Sequence, residues 1–212
     1  MSHGLTEYVG VLLFGPISIL LAFGIHEFFH AYSANLLGDP TARYQGRMTL
    51  NPVAHFDRIG TPLLLITYIF STVFGGGIGC FGWGKPVPIN PYNFKDSRSG
   101  TLISSLAGPM SNFAAALLAG LFFKVPQPLL LQFFLLYFIQ INIWLGIFNL
   151  IPLPPLDGWK VLTSLLPPHL GYRLQAMESQ YAMVGLIVIL FLFPTHILGS
   201  IAGFLFRIFT RT

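Results

Sequence analysis

The sequence predicts an all-α polytopic membrane protein, and three observations lead there. Only 8% of the 212 residues are charged while 54% are hydrophobic, whereas a soluble domain carries about 25% charged residues to coat its surface. Mean hydropathy is +0.70. The apolar residues also fall in blocks: Leu12 to Phe23, Leu63 to Phe74, Phe113 to Phe123, Leu129 to Phe148 and Ala182 to Phe193. Several of these lie in segments of about 20 residues, enough to cross a hydrocarbon core of roughly 30 Å.

The first helical segment spans 9 to about 37 and ends at Gly38-Asp39-Pro40, a strong stop signal. Residues 38–60 are polar, and Thr41 to Asn51 mixes polar and apolar residues in a way that permits a short strand or hairpin. The block 61–74 runs into Gly75-Gly76-Gly77 and Gly79, and a loop punctuated by Pro86, Pro88 and Pro91 follows. Segments 99–123 and 128–158 supply two more core helices, the second closing in a Pro-rich stretch. The last membrane segment, 181–212, is interrupted at Pro194, which either kinks one span or divides two short ones. The expected organisation is one domain over 1–212, with a three-helix core and flanking helices.

Charge distribution bears on topology more than on partners. A net charge of +4 and a pI near 9.4 would suit nucleic acid, but the eleven Lys and Arg residues are strung between apolar blocks with no basic cluster and no interleaved aromatics. Nucleic-acid binding is therefore not expected. Loops 38–60 and 82–98 hold six of the eleven basic residues (Arg43, Arg47, Arg58, Lys85, Lys95, Arg98), against Lys124 alone between the third and fourth blocks. By the positive-inside rule both rich loops face the cytoplasm. The 61–80 segment must then enter and return, or lie buried in protein, since irregular backbone at membrane depth needs such cover. A plain single crossing is the alternative. Cys80 is the only cysteine, so neither an intrachain disulfide nor a thiolate cluster can form. The absence of Lys or Arg before the first apolar block, and of a small-residue cleavage site, predicts a retained helix. The length leaves no room for an appended soluble module.

Most of the seven acidic residues sit in loops or near an end, but Glu27 lies inside Phe23-Gly24-Ile25-His26-Glu27-Phe28-Phe29-His30-Ala31-Tyr32. An ionised carboxylate within an apolar helix costs several kcal/mol and usually marks function. His26 and His30 are one helical turn apart, so both imidazoles leave the same face and can converge on one metal ion. Glu27, to the side of that face, can reach a metal-activated water and take its proton. H-E-x-x-H alone is weakly specific, and a polar helix contact is the plain alternative. Inside an apolar helix, however, that alternative leaves the buried charge uncompensated.

A catalytic zinc requires a third protein ligand. The candidates are His55, Asp57, His169, His196 and Asp157. Asp157 is the best, because Asn149-Leu150-Ile151-Pro152-Leu153-Pro154-Pro155-Leu156-Asp157-Gly158 breaks regular helix at the end of a membrane segment and can present a carboxylate inward. An Asp-Gly turn at the membrane surface is the competing reading. If 61–80 does not cross, the first and fourth blocks run parallel and their ends meet, so loop charge and ligand parity require the same topology.

His26 to His30, followed by Gly38-Asp39-Pro40-Thr41-Ala42, Ala107-Gly108-Pro109-Met110-Ser111-Asn112 and Asn149 to Gly158, resembles the site-2 protease family of intramembrane metalloproteases. Gly84-Lys85-Pro86-Val87-Pro88-Ile89-Asn90-Pro91 looks like the corresponding loop of its compact prokaryotic members. The resemblance implies one Zn2+ held by His26, His30 and Asp157, with Glu27 as catalytic base. It also implies that Asn149 and Asn112 hold substrate or stabilise the oxyanion, and that transmembrane segments of other membrane proteins are cleaved within the bilayer. The active site is expected nearer the cytoplasmic side of the cell membrane. Nothing in the sequence indicates a homo-oligomer.

Gly108 and Pro109 read most simply as close helix packing and a kink, and Trp83, Trp144 and Trp159 as interface anchors. Unpaired backbone in 149–155 and 84–91 offers a place for substrate to add as a strand. Two rivals come from other classes. A small transporter or metal-ion carrier would use the same four side chains as a transit site. A catalytically dead helix-binding relative is disfavoured by the intact Glu27.

Overall fold

The computed structural model describes residues 5–74, 81–182, 184–185 and 195–211. Three helices are long and apolar enough to cross a membrane: α1 (Leu5–Leu36), α4 (Ser97–Phe123) and α5 (Leu129–Asn149). They match the expected core. Between α1 and α4 lie the short helix α2 (Thr41–Tyr44) and helix α3 (Gly60–Phe74). After α5 come α6 (Asp157–Leu165), α7 (Pro168–Ala176) and α8 (Thr195–Thr210). The chain is a multi-pass membrane protein.

The direction of each core helix follows from its contacts. His30 Nδ1 meets Ser104 O and Asn112 Nδ2 meets Ala22 O, so α4 numbering rises as α1 numbering falls and the two are antiparallel. Phe14 packs edge-on to Phe134 (ring centroids 6.1 Å apart), and Asn142 reaches Asn112 beside Ala22, so α5 runs parallel to α1. Buried Ala116, Ala119, Ile139, Ile143 and Ile147 close the α4–α5 seam, with Leu198 and Ala202 of α8 packed on it.

Helix α3 has 15 residues, about 22 Å at 1.5 Å per residue, short of a roughly 30 Å core. The chain then returns to where it started. Phe81 N–H donates to Thr67 Oγ1 (2.9 Å), Trp83 N–H to Gly60 O (3.3 Å) and Thr61 Oγ1 to Trp83 O (3.3 Å). Residues 81–83 thus run back along α3 to its first turn, which gives no net crossing between 60 and 83. The glycine run and Cys80 at 75–80 lie outside the described residues, as does the Pro194 question at 186–194.

Among the described residues there is no strand, and Thr41 to Asn51 does not form the hairpin that its composition permits. Local bonds take the backbone groups a strand would share. Asp39 accepts from Thr41 N–H (3.1 Å) and from the Thr41 hydroxyl, Tyr44 N–H donates to Pro40 O (2.9 Å), and Arg47 N–H to Ala42 O (2.8 Å).

Candidate metal centre

Two polar side chains from α1 and one from α6 meet in the membrane-spanning bundle. His26 Nε2 and His30 Nε2 are 2.9 Å apart, and Asp157 Oδ2 lies 3.1 and 3.0 Å from them. All three residues are buried. The helical repeat places both imidazoles on the α4-facing side of α1. The α4 backbone can approach because residue 108 is glycine: a Cβ there would fall on His30 Nε2. Asp157 arrives from the broken segment after α5. Its neighbour Gly158 lets the turn close, since a Cβ at 158 would collide with the carbonyls of Leu150 and Ile151.

The far side of each ring fixes what the near side can do. His26 Nδ1 sits 2.7 Å from Asn112 Oδ1, and His30 Nδ1 sits 2.6 Å from Ser104 O. Both partners only accept, so each Nδ1 carries the proton and each neutral imidazole turns a lone pair inward from Nε2. Two lone pairs and a carboxylate oxygen facing one point repel one another unless a cation lies between them. The second Asp157 oxygen, Oδ1, is 3.8 Å from Lys160 Nζ.

The donor set suits zinc, which takes imidazole nitrogen and carboxylate oxygen at about 2.0–2.2 Å in tetrahedral sites. Ligand atoms in such a site stand roughly 3.3 Å apart, so the cluster needs to open by only a few tenths of an ångström. Imidazoles whose second nitrogen donates to a carbonyl or amide oxygen are the usual partners of such an ion.

Glu27 is buried, and its Oε2 accepts from Val87 N–H at 2.7 Å. Val87 belongs to an extended segment, 81–90, whose alternate N–H groups point inward: Trp83 to Gly60 O, Lys85 to His55 O (2.9 Å) and Val87 to Glu27. Arg47, itself buried, clamps the same segment through Nη2 to Lys85 O (2.7 Å) and Pro86 O (3.2 Å). Asp39 ties its far end, accepting from Asn90 N–H and Asn93 Nδ2, both at 2.7 Å. Burial pushes the Asp39 carboxyl up, but hydrogen bonds from Thr41, Asn93 and Asn90 outweigh it and hold it below the ordinary value.

The two asparagines expected to hold substrate or the oxyanion differ in their surroundings. Asn112 is fully buried, and both Nδ2 protons are committed, to Ala22 O (3.1 Å) and Asn142 Oδ1 (2.9 Å). No donor is left for an oxyanion, and its oxygen faces His26. Asn149 is half-buried at the end of α5, where Nδ2 donates back to Leu145 O (2.9 Å). No hydrogen bond joins it to the cluster among the described residues. His55 serves the extended segment through its carbonyl, and its ring Nε2 bonds Thr49 O (2.9 Å). The residues that sequence reasoning missed are Asn142, Arg47 and the Val87 N–H. Asn142 carried a signal, being an amide in the middle of an apolar block.

A buried His-His-Asp cluster beside a buried glutamate, among helices long and apolar enough to span a membrane, has the make-up of a membrane metal site. A model of peptidase family M50 matches residues 124–193. YwhC of Bacillus subtilis, whose name describes it as a zinc metalloprotease, is 39% identical over 87% of this chain and 81% of its own length. Rip2 of Mycobacterium tuberculosis, named likewise, is 35% identical over 89% of this chain and 70% of its own length. Rip2 of Mycolicibacterium smegmatis is 30% identical over 91% and 71%. The chain belongs to peptidase family M50, the site-2 protease family. It is a membrane-associated metalloprotease, and the cofactor that membership implies is Zn2+. No solved structure gives a match.

Proposed function

We propose that the chain is an intramembrane endopeptidase in which His26, His30 and Asp157 hold one Zn2+ and Glu27 is the general base. Residues 1–212 act as one catalytic domain, with α1, α4 and α5 as its core. The observation that carries this reading is the convergence of two Nε2 lone pairs and Asp157 Oδ2 within 2.9–3.1 Å of one another. Bound there, zinc supplies Lewis acidity and lowers the pKa of a coordinated water toward neutrality. Val87 N–H occupies Glu27 Oε2, which leaves Oε1 to take the proton of the attacking water and pass it to the leaving amine.

The substrate is a transmembrane segment of another membrane protein, because the cluster sits among helices long enough to span the bilayer. With the N–H groups of Trp83, Lys85 and Val87 turned inward, Gly82 and Gly84 present their backbone on the opposite edge of 81–90. An unwound substrate adds to that edge as a strand. Unchanged cleavage after substitution of both Pro88 and Ile89 would count against this placement. Arg47, Lys85 and Arg98 lie at the end of the bundle where α1 finishes and α4 begins, and by the positive-inside rule this supports a site nearer the cytoplasmic side.

The decisive experiment pairs zinc analysis with cleavage of a model membrane helix. Glu27→Gln keeps one zinc per chain and loses about 10²–10⁴-fold in cleavage rate, whereas His26→Ala loses both. A metal carrier would instead tolerate Glu27→Gln with its flux intact.

A further inference from the structure

Behind His26 a chain of amide hydrogen bonds crosses all three core helices. Asn142, fully buried in the middle of α5, donates Nδ2 to Phe138 O one turn back (2.8 Å). Its Oδ1 accordingly faces α4 and accepts from Asn112 Nδ2 (2.9 Å). The other Asn112 Nδ2 proton goes to Ala22 O on α1 (3.1 Å), and Asn112 Oδ1 accepts from His26 Nδ1 (2.7 Å).

The direction of this chain is not interchangeable. If the Asn142 amide were reversed, its oxygen would face Phe138 O and its NH2 would face the NH2 of Asn112. If Asn112 were reversed, its oxygen would meet two acceptors, Ala22 O and Asn142 Oδ1, with no donor between them. Each reversal sets like polar atoms against one another between two fully buried side chains. The orientation of Asn142 therefore fixes that of Asn112, which in turn fixes the proton on His26 Nδ1.

We propose that Asn142 is a positioning residue for the metal centre: through Asn112 it locks His26 in the Nδ1–H tautomer and so holds the Nε2 lone pair toward the cation. This rests on the assignment of His26 as a ligand. His30 has no such relay, since its Nδ1 meets a main-chain carbonyl that cannot reverse. The two histidines thus differ in how their tautomer is held, and His26 alone depends on a side chain that does not touch it.

The test compares Asn142→Asp with Asn142→Ala in the full-length protein. A buried carboxyl at 142 is protonated. Its O–H replaces the donor to Phe138 O and its C=O still accepts from Asn112. Alanine removes both and frees Asn112 to turn over. Zinc affinity measured by chelator competition should fall about 10–100-fold in Asn142→Ala and stay within about threefold of wild type in Asn142→Asp. The 15N shifts of His26 in the zinc-free protein should show the Nδ1–H form in wild type and Asn142→Asp, and a tautomer mixture in Asn142→Ala. If the alanine variant does not stay folded, Asn142→Leu fills the volume and the same comparison applies.

Equal affinities in both variants and wild type would overturn the inference, as would equal losses in both variants with the tautomer unchanged. His26→Ala runs alongside as the control. If it keeps wild-type zinc, the ligand assignment itself fails. If it loses zinc while Asn142→Ala binds normally, only the relay fails.

Discussion

Two regions converge on the site, and they hold their cargo by different means. The α1–α4–α5 bundle positions His26, a proposed zinc ligand, through contacts between side chains of neighbouring helices: His26 to Asn112, Asn112 to Asn142, with Gly108 as the clearance that lets α4 approach. The layer between α1 and α4 positions Glu27 through the main chain of an extended segment, pinned at Gly60, His55, Arg47 and Asp39. On the proposed assignment of ligands and base, the first arrangement governs whether metal stays and the second whether a retained metal is used. Substitutions in the two regions should therefore separate metal content from turnover.

The largest separation is expected at Gly108. Gly108→Ala puts a methyl where His30 Nε2 now lies, so α4 must back away or the imidazoles must turn. Zinc affinity should fall about 100-fold by chelator competition, and cleavage should fall with it. Val87→Pro is the counterpart on the other side. It removes the N–H that holds Glu27 Oε2 while extended backbone accommodates the ring. Zinc content should remain at one per chain while kcat drops about tenfold, a fraction of what the general base supplies. Loss of zinc in Val87→Pro, or its retention with slow turnover in Gly108→Ala, would erase the distinction between the two regions.

The smallest effect is expected at Asp39, which ties the end of the extended segment. Asp39→Asn places an amide among donors and should cost about 1–2 kcal/mol in unfolding free energy, with zinc retained. The folded-state carboxyl lies below its ordinary value of 3.8. Its contribution is therefore fully present above that pH and lost as pH falls through the lowered folded value. The stability gap between wild type and Asp39→Asn should stay constant from neutrality to about pH 5 and shrink only in stronger acid. A gap that instead closes near neutrality would mean that Asp39 is not ionised in the folded protein.

Much of this was legible in the residues. The three core helices follow from apolar run length alone, and the return of 60–83 follows from the placement of Arg43, Arg47, Arg58, Lys85, Lys95 and Arg98. The pair of histidines is written in helical spacing. The role of Asn112 was not legible, because an amide offers the same atoms to a substrate or to a neighbouring ring. Only the positions of Ala22 O and Asn142 show that both its protons are spent. The turn at Thr41–Tyr44 was hidden for a similar reason: a composition that permits a strand does not reveal that Asp39 will take the Thr41 N–H and hydroxyl first. Val87 could not have been found at all, since its contribution is a backbone N–H and any residue but proline supplies one.

On the proposed assignment, His26, His30 and Asp157 together close around one cation. Asp157→Ala, compared with wild type by zinc stoichiometry and X-ray absorption at the zinc edge, tests it most directly. The wild type should hold one zinc with two imidazole nitrogens and a carboxylate oxygen at about 2.0–2.2 Å, and the variant should lose the metal or the oxygen shell with it. A variant that keeps full zinc in an unchanged ligand shell would contradict the account.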